Sequence, residues 1–284
     1  MKLLGDSAPR YKNNAAVLVS TYNRPKALNL VLSGLAGQSL SPAQVIVADD
    51  GSTSDTKRII DYWKSQGLPV EHCWHEDRGY RKTKIMNEGL TRVRAELCIF
   101  LDGDCIPLSN FVSHHLRMAE PKSISAGPRI LASERLTQQL EIGGDIDALS
   151  HWSFWITNRL KRDVNRINQM LYVPDGPWRR MQPRNWKLVR GCNFSVPLED
   201  VLAVDGFEES LEGWGPDDSD LAVRLINCGS HVKNLRFAAP VLHLWHREES
   251  RQNLTRNREF LRGAIEEKRV RAIAGISSKI HHQN

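Results

Sequence analysis

Two carboxylates separated by one glycine follow a short apolar segment in the first half of the chain. The apolar segment covers residues 97–101 and is followed directly by Asp102-Gly103-Asp104. On an extended segment the side chains at i and i+2 point to the same side, and glycine lets a ligand approach the backbone closely. Mg²⁺ and Mn²⁺ prefer carboxylate oxygens and commonly share their coordination sphere with phosphates. The sequence therefore predicts a metal–diphosphate site at the end of a strand.

Two other polar clusters also follow predicted strands. They are Thr21-Tyr22-Asn23-Arg24 and Asp49-Asp50-Gly51-Ser52. The carboxyl ends of parallel strands converge at one edge of a sheet, so a single pocket can contain all three clusters. There Asp50 could accept a hydrogen bond from a base, Asp102 could accept from ribose hydroxyls, and Asp104 could face the metal. The alternative for residues 49–52 is a turn and helix cap, since Asp, Gly and Ser are common in turns.

A dense group of cations opens the next predicted helix. Residues 78–87 have the sequence R-G-Y-R-K-T-K-I-M-N. Positive charge does not stabilise the N-terminus of a helix, whereas a helix N-terminus with basic side chains binds anions. A bound diphosphate would account for these cations, and a solvated helix face is the alternative.

The composition is that of an ordinary globular protein. Of the 284 residues, 40% are hydrophobic and 25% are charged, and the length fits one large domain or two small ones. No apolar window of 18 residues is present, and the apolar stretch near the N-terminus is too short for a signal peptide. The five cysteines are scattered without a C-x-x-C pair, which argues against a disulfide framework or structural zinc. We therefore expect a soluble, cytoplasmic protein.

The formal net charge is +6, and much of the excess lies between residues 247 and 279. Leu254, Leu261 and Ile265 give this segment a partial helical stripe. A solvated face on a terminal helix is one interpretation. Contact with an anionic membrane surface or a phosphorylated acceptor is the other, because both would benefit from the positive charge. The cations include Arg251, Arg256, Arg258, Arg262, Lys268, Arg269 and Arg271.

Short apolar runs alternate with amphipathic stretches in the first half of the chain. This alternation predicts βαβ units and a mostly parallel α/β sheet. Asn23 is expected to cap the first helix, with Pro25 in its first turn and Gly37 at its end. Strands are expected at residues 15–20, 44–48, 70–74 and 97–101, with the later helices at about 55–66 and 85–93.

The second half is less regular. Residues 135–185 are rich in Trp, Arg, Asn and Pro and have no long, clean period, which is typical of a mobile or substrate-shaped region over an α/β core. Further on we expect a strand at 187–190, a short helix at 198–204, and another helix after Asp217-Asp218. The simplest organisation is one domain over residues 1–250 with an appended basic helix or tail over 251–284.

A series of short motifs runs from about residue 15 to residue 246. They are V-L-V-S-T-Y-N-R-P, A-D-D-G-S, R-G-Y-R-K-T-K-I-M-N-E-G and L-D-G-D, then G-C-N-F-S-V, V-D-G-F-E-E and G-W-G-P-D-D-S-D. In this order they resemble the inverting family-2 glycosyltransferases of the GT-A fold. The last motif is similar to G-W-G-x-E-D-x-D of galactosyltransferase-type and chondroitin-polymerase-type enzymes. The resemblance implies a Rossmann-like, mostly parallel central sheet flanked by helices, with a nucleotide-sugar half over about 12–108 and an acceptor half over about 109–250.

The resemblance also implies roles for individual residues on the donor side. Asp102 would bind the ribose, and Asp104 would ligate a Mn²⁺ or Mg²⁺ ion that bridges the diphosphate. His243 matches a late histidine that completes the metal site in several members, and His246 is the competing candidate. Nucleotide-sugar binding is assigned to Thr21, Asn23, Arg24, Asp50, Arg78, Lys84, Asn87, Asp102, Gly103 and Asp104.

On the acceptor side, Asp218 matches the family's catalytic base. The donor sugar or acceptor would contact Asn193, Trp214, Gly215 and Asp217. Asp217 stands where many relatives carry Glu, and Pro216 stands where a small residue is common. The motif therefore does not identify the donor sugar. Trp152, Trp155 and Trp178 could stack on sugar rings, with core packing as the alternative.

The implied activity is a metal-dependent, inverting transfer of a hexose or N-acetylhexosamine from a nucleotide sugar, with a UDP-sugar as the expected donor. Direct displacement needs a base within reach of the acceptor hydroxyl, which would be Asp218. The expected acceptor is a glycan or glycolipid, such as lipopolysaccharide core or another bacterial surface polysaccharide. The basic tail would hold the protein peripherally on the inner face of the cytoplasmic membrane.

Two other function classes stay open. A metal-dependent phosphohydrolase or nucleotidyltransferase could use the same Asp pair, but it would need further acids or histidines around the metal and leaves residues 213–218 unexplained. A non-catalytic nucleic-acid or membrane-binding module would depend on the basic tail alone. The chain has no G-x-x-x-x-G-K-[ST] loop and no zinc-finger spacing, so nucleic acid is not an expected partner.

Overall fold

Parallel strands joined by helices form the first half of the computed structural model. The structure describes residues 11, 14–143, 146–247 and 252–278. In chain order the first elements are β1 (Ala15–Thr21), α1 (Pro25–Ala36), β2 (Gln44–Asp49), α2 (Ser54–Ser65), β3 (Val70–Trp74), α3 (Lys82–Leu90) and β4 (Leu97–Asp102). The strands pair in parallel in the order β3-β2-β1-β4, which confirms the predicted βαβ arrangement.

Strands β1, β2 and β4 are covered on both faces, which explains their continuous apolar sequences. Residues 15–19, 45–48 and 97–101 each expose 1% or less of their surface. Helix α1 packs in the apolar cluster that contains Val17 and Val19, whereas α3 packs in the cluster that contains Leu18. The two helices therefore cover opposite faces of the sheet.

The start of α1 differs from the prediction. Asn23 has a left-handed backbone (φ 47°), and its Oδ1 accepts a hydrogen bond from Thr53 N at 3.0 Å instead of capping the helix. Arg24 occupies the N-cap position without a side-chain cap, and Pro25 begins the helix as expected. Helix α3 ends at Leu90, before the predicted limit.

The remaining elements extend this sheet and add a smaller one. They are β5 (Cys105–Pro107), α4 (Phe111–Met118), β6 (Ser123–Ala126), β7 (Arg129–Leu131), α5 (Glu134–Gly143), α6 (Trp152–Leu160), β8 (Asn193–Pro197), α7 (Leu198–Ala203), α8 (Asp217–Asn227), β9 (His231–Asn234), β10 (Val241–His243) and α9 (Leu254–Glu266). The main sheet has the order β3-β2-β1-β4-β8-β6-β9, in which β8 runs antiparallel to both neighbours. The small sheet has the order β5-β10-β7.

The predicted strand at 187–190 is wrong. Trp186–Leu188 forms a 3-10 helix, in which Leu188 N donates to Asn185 O at 3.1 Å. Short-range hydrogen bonds satisfy this backbone, so the next strand begins only at Asn193. Residues 135–185, predicted to be irregular, contain most of α5 and all of α6. On α6, Trp155 is fully buried, as expected for core packing, whereas Trp152 is 49% exposed.

The C-terminal helix α9 packs on α8. Leu261 and Ala264 form a small apolar cluster with Val223. The exposed side of α9 carries Glu as well as Arg side chains. Of the predicted basic segment, Arg251 and Lys279 lie outside the described residues, as does the N-terminal stretch considered as a signal peptide. Within the described ranges, no helix is long and apolar enough to cross a bilayer.

Candidate active site

A cleft of about 660 Å³ opens at the carboxyl ends of β1, β2 and β4. It brings together residues from all three predicted polar clusters and both late histidines. From the predicted set it contains Thr21, Arg24, Asp50, Asp102, Gly103, Asp104, Trp214, His243 and His246. The parallel register explains the convergence, because Thr21 pairs with Asp49 and Ser20 with Asp102.

Asp102-Gly103-Asp104 turns tightly against the end of β1. Gly103 N donates to Ser20 O at 2.7 Å, and a Cβ at Gly103 would lie 2.7 Å from the same oxygen. Glycine is therefore required here by the close approach of β1. Ser20 Oγ donates to Asp102 Oδ1 at 2.8 Å, which fixes the first carboxylate of the pair.

Asp104, His243 and His246 form a cluster in which one ligand atom of each lies within 4.8 Å of the others. Strand β10 brings His243 to Asp104, because His243 pairs with Cys105 of β5, the residue that follows Asp104. Leu244 N also donates to Asp104 O at 2.9 Å. Burial lowers the pKa of His243, which favours the neutral imidazole that binds metals. One carboxylate and two imidazoles are a suitable donor set for a divalent ion such as Mn²⁺.

Arg24 contacts the carboxylate of the same cluster. Its Nη1 donates to Asp104 Oδ2 at 2.8 Å. Its Nη2 lies 3.4 Å from Glu141 Oε1 and 3.3 Å from the carbonyl oxygen of Trp245. The guanidinium adds a permanent positive charge to this end of the cleft, where it can pair with a carboxylate or a phosphate.

Asp50 is oriented by two neighbours at the side of the cleft. Its Oδ1 lies 2.6 Å from His75 Nε2, and its Oδ2 accepts a hydrogen bond from Arg81 N at 2.8 Å. Burial raises the pKa of Asp50, and both hydrogen bonds oppose that shift. Nearby, the buried hydroxyl of Thr21 has no hydrogen-bond partner in the part of the chain that the structure describes. A ligand could supply that partner.

Lys82 lies between the cleft and a second groove. Its Nζ is 2.9 Å from Asp102 Oδ1 and 4.0 Å from Asp217 Oδ2. Burial alone would lower the pKa of Lys82, but Asp102 and then Asp217 hold it well above its usual value. The ammonium group is therefore charged at the point where the two spaces meet.

The second groove, of about 500 Å³, contains the acids at the start of α8. Of the predicted residues it is lined by Asp102, Trp214, Gly215, Asp217 and Asp218. Burial raises the pKa of Asp217 to about 6, against the opposing effect of Lys82 and with a further rise from Asp218. Burial also raises the pKa of Asp218, whose Oδ2 accepts a hydrogen bond from Gly191 N at 2.5 Å. Carboxyls with raised pKa values in a groove are suited to proton transfer near neutral pH.

Helix α9 holds the loop that leads to these acids. The side chains of Asn253 and Asn257 both donate to Glu212 O, at 3.2 and 3.0 Å. A Cβ at Gly215 would lie 2.6 Å from Asn257 Nδ2, so a larger residue there would displace the Asn257 side chain. The predicted appended helix therefore contributes to the shape of the groove.

Residues 273–277 return to the loop just before the acids. Asp205 accepts hydrogen bonds from Ser277 N at 2.9 Å and Ser277 Oγ at 2.6 Å. Glu208 accepts hydrogen bonds from Ile273 N at 2.6 Å and Ala274 N at 3.1 Å. Both carboxylates are buried. The acids of the V-D-G-F-E-E motif thus anchor the C-terminal segment.

Two predicted ligand residues are buried away from the cleft. Asn87 Nδ2 donates to Phe207 O at 2.9 Å, and Asn87 Oδ1 accepts from Phe207 N at 2.7 Å. Asn193 Oδ1 lies 3.0 Å from His115 Nε2, and its Nδ2 donates to Ala239 O at 2.7 Å. Contrary to the prediction, the polar atoms of these amides bind protein groups, because each side chain joins two segments inside the fold.

Three further predicted residues are exposed and do not line the cleft. Asn23 contacts the turn before α2. Lys84 points outward from α3, and Arg78 pairs with Glu76 at 2.8 Å beside a separate small groove. The helical geometry of α3 explains the difference, since Lys82 and Lys84 lie on different sides of the helix.

The family comparison agrees with this geometry. Residues 16–170 match the family model described as glycosyl transferase family 2, which is more than half of the chain. The chain belongs to glycosyl transferase family 2. Residues 180–247 of this glycosyltransferase match a second model, described as the N-terminal domain of galactosyltransferase. Both matches confirm the resemblance expected from the motifs.

Two curated relatives of the glycosyltransferase are similar over most of its length. Validoxylamine A glucosyltransferase of Streptomyces hygroscopicus subsp. limoneus is 28% identical, over 74% of this chain and 47% of that protein. Chondroitin synthase of Escherichia coli is 23% identical, over 82% of this chain and 35% of that protein. The chain thus spans about half or less of the length of these relatives.

Solved structures share the fold. GalNAc-T7, solved with UDP, GalNAc and Mn²⁺, has a TM-score of 0.58 at 15% identity, over 83% of this chain and 44% of that one. The mannosyltransferase PcManGT of Pyrobaculum calidifontis, solved with GDP-Man and Mn²⁺, has a TM-score of 0.56 at 18% identity, over 85% and 60%. With the mostly parallel sheet, these likenesses confirm the expected GT-A fold.

Sequence reasoning missed several residues of the glycosyltransferase's site. Tyr80, Lys82 and Arg129 line both the cleft and the groove. Lys82 lies in the basic segment singled out above, but the spacing alone did not separate it from Lys84. Arg129 is an isolated cation at the start of β7 and had no signal in the sequence.

Proposed function

We propose that this glycosyltransferase moves a hexose or N-acetylhexosamine from a UDP-sugar to a hydroxyl group of a glycan. The proposal rests on one observation: the cleft and the groove share lining residues. The cluster at Asp104 lines the cleft, the acids at Asp217 and Asp218 line the groove, and Lys82 lines both. A donor bound in the first space would present its sugar to an acceptor bound in the second.

At the donor end, Asp104 with His243 and His246 would hold a divalent cation, Mn²⁺ or Mg²⁺. A bound divalent cation offsets the negative charge of a leaving diphosphate. Arg24 beside Asp104 and Lys82 beside Asp102 add positive charge from the protein itself. The neighbours solved with UDP or GDP-Man and Mn²⁺ support this donor chemistry.

The nucleoside would bind along the strand ends. The unpartnered hydroxyl of Thr21 and the carboxylate of Asp50 are available to a base, and Asp102 is available to ribose hydroxyls. Hydrogen bonds from His75 and Arg81 orient Asp50 for that contact.

At the acceptor end, Asp218 would act as the general base. Its carboxylate takes the proton of the acceptor hydroxyl, whose oxygen bonds to the anomeric carbon as the diphosphate leaves from the opposite face. This single displacement inverts the anomeric configuration. The raised pKa of Asp218 supports the role, because a stronger base removes the hydroxyl proton more readily. Asp217 and Trp214 would orient the sugars.

We further propose a surface polysaccharide, such as lipopolysaccharide core, as the acceptor, and action at the cytoplasmic face of the membrane. The relatives named as glucosyltransferase and chondroitin synthase support a carbohydrate acceptor. A contact between the basic tail and a membrane would rest on charge, because Leu261 and Ala264 of α9 pack within the fold. The phosphohydrolase or nucleotidyltransferase alternative gives no role to Asp217 and Asp218.

Thermal-shift binding tests the donor site first. UDP, GDP, CDP and dTDP are each added with Mn²⁺, with Mg²⁺ or with EDTA, because a ligand that binds the native state raises the melting temperature. We expect a metal-dependent shift with UDP that Asp104→Ala abolishes. If no nucleoside diphosphate shifts the melting temperature, the proposed donor chemistry is wrong.

Asp218→Asn tests the base separately. Asparagine keeps an oxygen for Gly191 N and removes the proton acceptor, so transfer should fall by about 10²–10⁴-fold while the UDP shift is retained. Near-normal transfer by a folded Asp218→Asn variant would assign the base to another residue.

A further inference from the structure

Four cations line the acceptor groove in addition to Lys82. Arg129 begins β7, Lys187 and Arg190 lie in the segment before β8, and Arg258 lies on α9. In the described ranges none of the four pairs with a carboxylate. Two acids of the groove, Asp102 and Asp217, by contrast, lie beside the ammonium group of Lys82. The groove therefore has an excess of unpaired positive charge.

Aromatic side chains accompany these cations. Trp186 and Trp214 both line the groove, and Lys187 Nζ lies 5.5 Å from the Trp186 ring centroid. Indole rings can pack on the apolar face of a sugar ring, and guanidinium groups bind carboxylate or phosphate in two-point contacts. The combination suits a sugar that carries a negative charge.

We propose that the acceptor is an anionic glycan, whose carboxylate or phosphate is held by Arg129, Lys187, Arg190 and Arg258 next to the base. This inference rests on the proposed function, since it names the acceptor class of the same groove. The cations come from three separate segments of the chain, so their convergence is a property of the fold rather than of one basic stretch. A neutral acceptor would leave this charge unmatched.

Methyl glucoside, methyl glucuronide and methyl glucoside 6-phosphate test the proposal, because they differ at one position of the sugar. Binding of each is measured by ligand-observed NMR on the full chain with UDP and Mn²⁺. At least one of the two anionic sugars should bind about tenfold more tightly than the glucoside, with an advantage that decreases as salt is added. Which of the two binds better distinguishes a carboxylate from a phosphate.

A pair of matched variants completes the test. Arg190→Gln/Arg258→Gln should remove the advantage of the anionic sugars, whereas Arg256→Gln/Arg262→Gln changes exposed cations of α9 outside the groove and should leave it intact. If the glucoside binds as tightly as both anionic sugars, or if the two pairs behave alike, the inference is overturned. The thermal shift with UDP is measured on the same samples. If UDP still raises the melting temperature, only the inference about the acceptor is overturned. If UDP gives no shift, the proposed function itself is overturned.

A second, independent observation concerns the outer face of α6. The helix buries Trp155 and Asn158, but it exposes Trp152, Ile156 and Leu160 by 49%, 50% and 80%. These exposed side chains are four residues apart, so they share one face of the helix. The face forms an apolar stripe that the described residues do not cover.

Cations lie at and after the C-terminal end of this stripe. They are Arg159, Lys161, Arg162 and Arg166, all exposed, and none pairs with a carboxylate among the residues described. Asp163, the acid in this segment, is buried and bound by Arg135. An apolar face with tryptophan, bordered by lysine and arginine, has the chemistry of a helix that lies in an anionic lipid surface.

We infer that α6 docks the protein on an anionic membrane. It differs from α9 in its outer apolar residues: Trp152, Ile156 and Leu160 of α6 are exposed, whereas Leu261 and Ala264 of α9 are buried. The helix is also linked to the cleft, because the chain after it bridges back from Val164 to Ala132, next to β7. Docking through α6 would hold the site near lipid-linked glycans.

Co-sedimentation with phosphatidylcholine vesicles, with and without phosphatidylglycerol, tests this inference. The full chain should bind the anionic vesicles, and Trp152→Ser/Leu160→Ser or Arg159→Gln/Lys161→Gln/Arg162→Gln should each weaken binding about tenfold or more. The α9 pair Arg256→Gln/Arg262→Gln is the charge control and should bind as the unaltered chain does. The inference is overturned if the chain binds neutral vesicles equally well or binds neither kind of vesicle. It is also overturned if only the α9 variant loses binding, or if light scattering detects self-association through α6.

Discussion

Replacing Asn87 with alanine should lower the free energy of unfolding without weakening the nucleotide contacts directly. Asn87 Nδ2 donates to Phe207 O and to Glu209 Oε1, both at 2.9 Å, and Oδ1 accepts from Phe207 N at 2.7 Å. The truncation leaves the N–H and the C=O of Phe207 unpaired inside the fold. Each buried polar group without a partner costs about 1–3 kcal/mol, so the loss should be about 2–6 kcal/mol. That is a large part of the stability of a typical domain.

Denaturant unfolding measures this loss, and calorimetric titration with UDP and Mn²⁺ measures binding by the folded fraction. Lys84→Ala changes an exposed residue of the same helix and should alter the stability by less than about 0.5 kcal/mol. Asn87→Asp should also be destabilising, because it places a carboxylate against Phe207 O and Glu209. An Asn87→Ala variant that keeps full stability but loses UDP affinity would show that the side chain is a nucleotide ligand and that the structural argument is wrong.

The remaining predictions concern the groove and the turn at Asp102-Gly103-Asp104. Because burial raises the pKa of Asp217 to about 6 and also raises that of Asp218, kcat/KM should fall as the pH is lowered through about 6. The charge of Lys82 lowers both values, so Lys82→Gln should move this acidic limb of the pH–rate profile to higher pH; an unmoved limb would contradict the assignment. Gly103→Ala should displace the turn from β1 and reduce metal-dependent UDP binding at least about tenfold, since its Cβ would lie 2.7 Å from a carbonyl oxygen. Gly143→Ala adds a Cβ with nothing within 4 Å and is the control that should bind normally.

The first half of the fold was predictable because its signals are local. Apolar runs bounded by turn residues located β1, β2, β3 and β4, and the position of Asp102-Gly103-Asp104 after β4 followed from the same pattern. The polar clusters then had to converge, since parallel strands end at one edge. Thr21 and Asp50 line the cleft for that reason.

The remaining features depend on contacts between distant parts of the chain. His243 lies beside Asp104 because β10 pairs with β5. The motif resemblance implied a metal-binding role for His243, but no local pattern could reveal this strand pairing. Asn87 and Asn193 are polar residues in motifs, and only the three-dimensional packing shows that their amides are used inside the fold. The segment 187–190 is apolar and basic, yet turn hydrogen bonds outcompete strand pairing there.

The contacts that Asn253, Asn257 and residues 273–277 make with the loop before α8 also set an order of events during synthesis. Ribosomes extend a chain by about 5–20 residues per second, and early segments begin to fold first. Strands β1 to β4, and then β10 with His243, can therefore fold while the segments that hold the loop before α8 are still untranslated. On the proposed function, we expect a polypeptide interrupted before Asn253 to bind nucleotide while the loop before Asp218, the proposed base, lacks its support. Translation of α9 and of residues 273–277 would then supply that support.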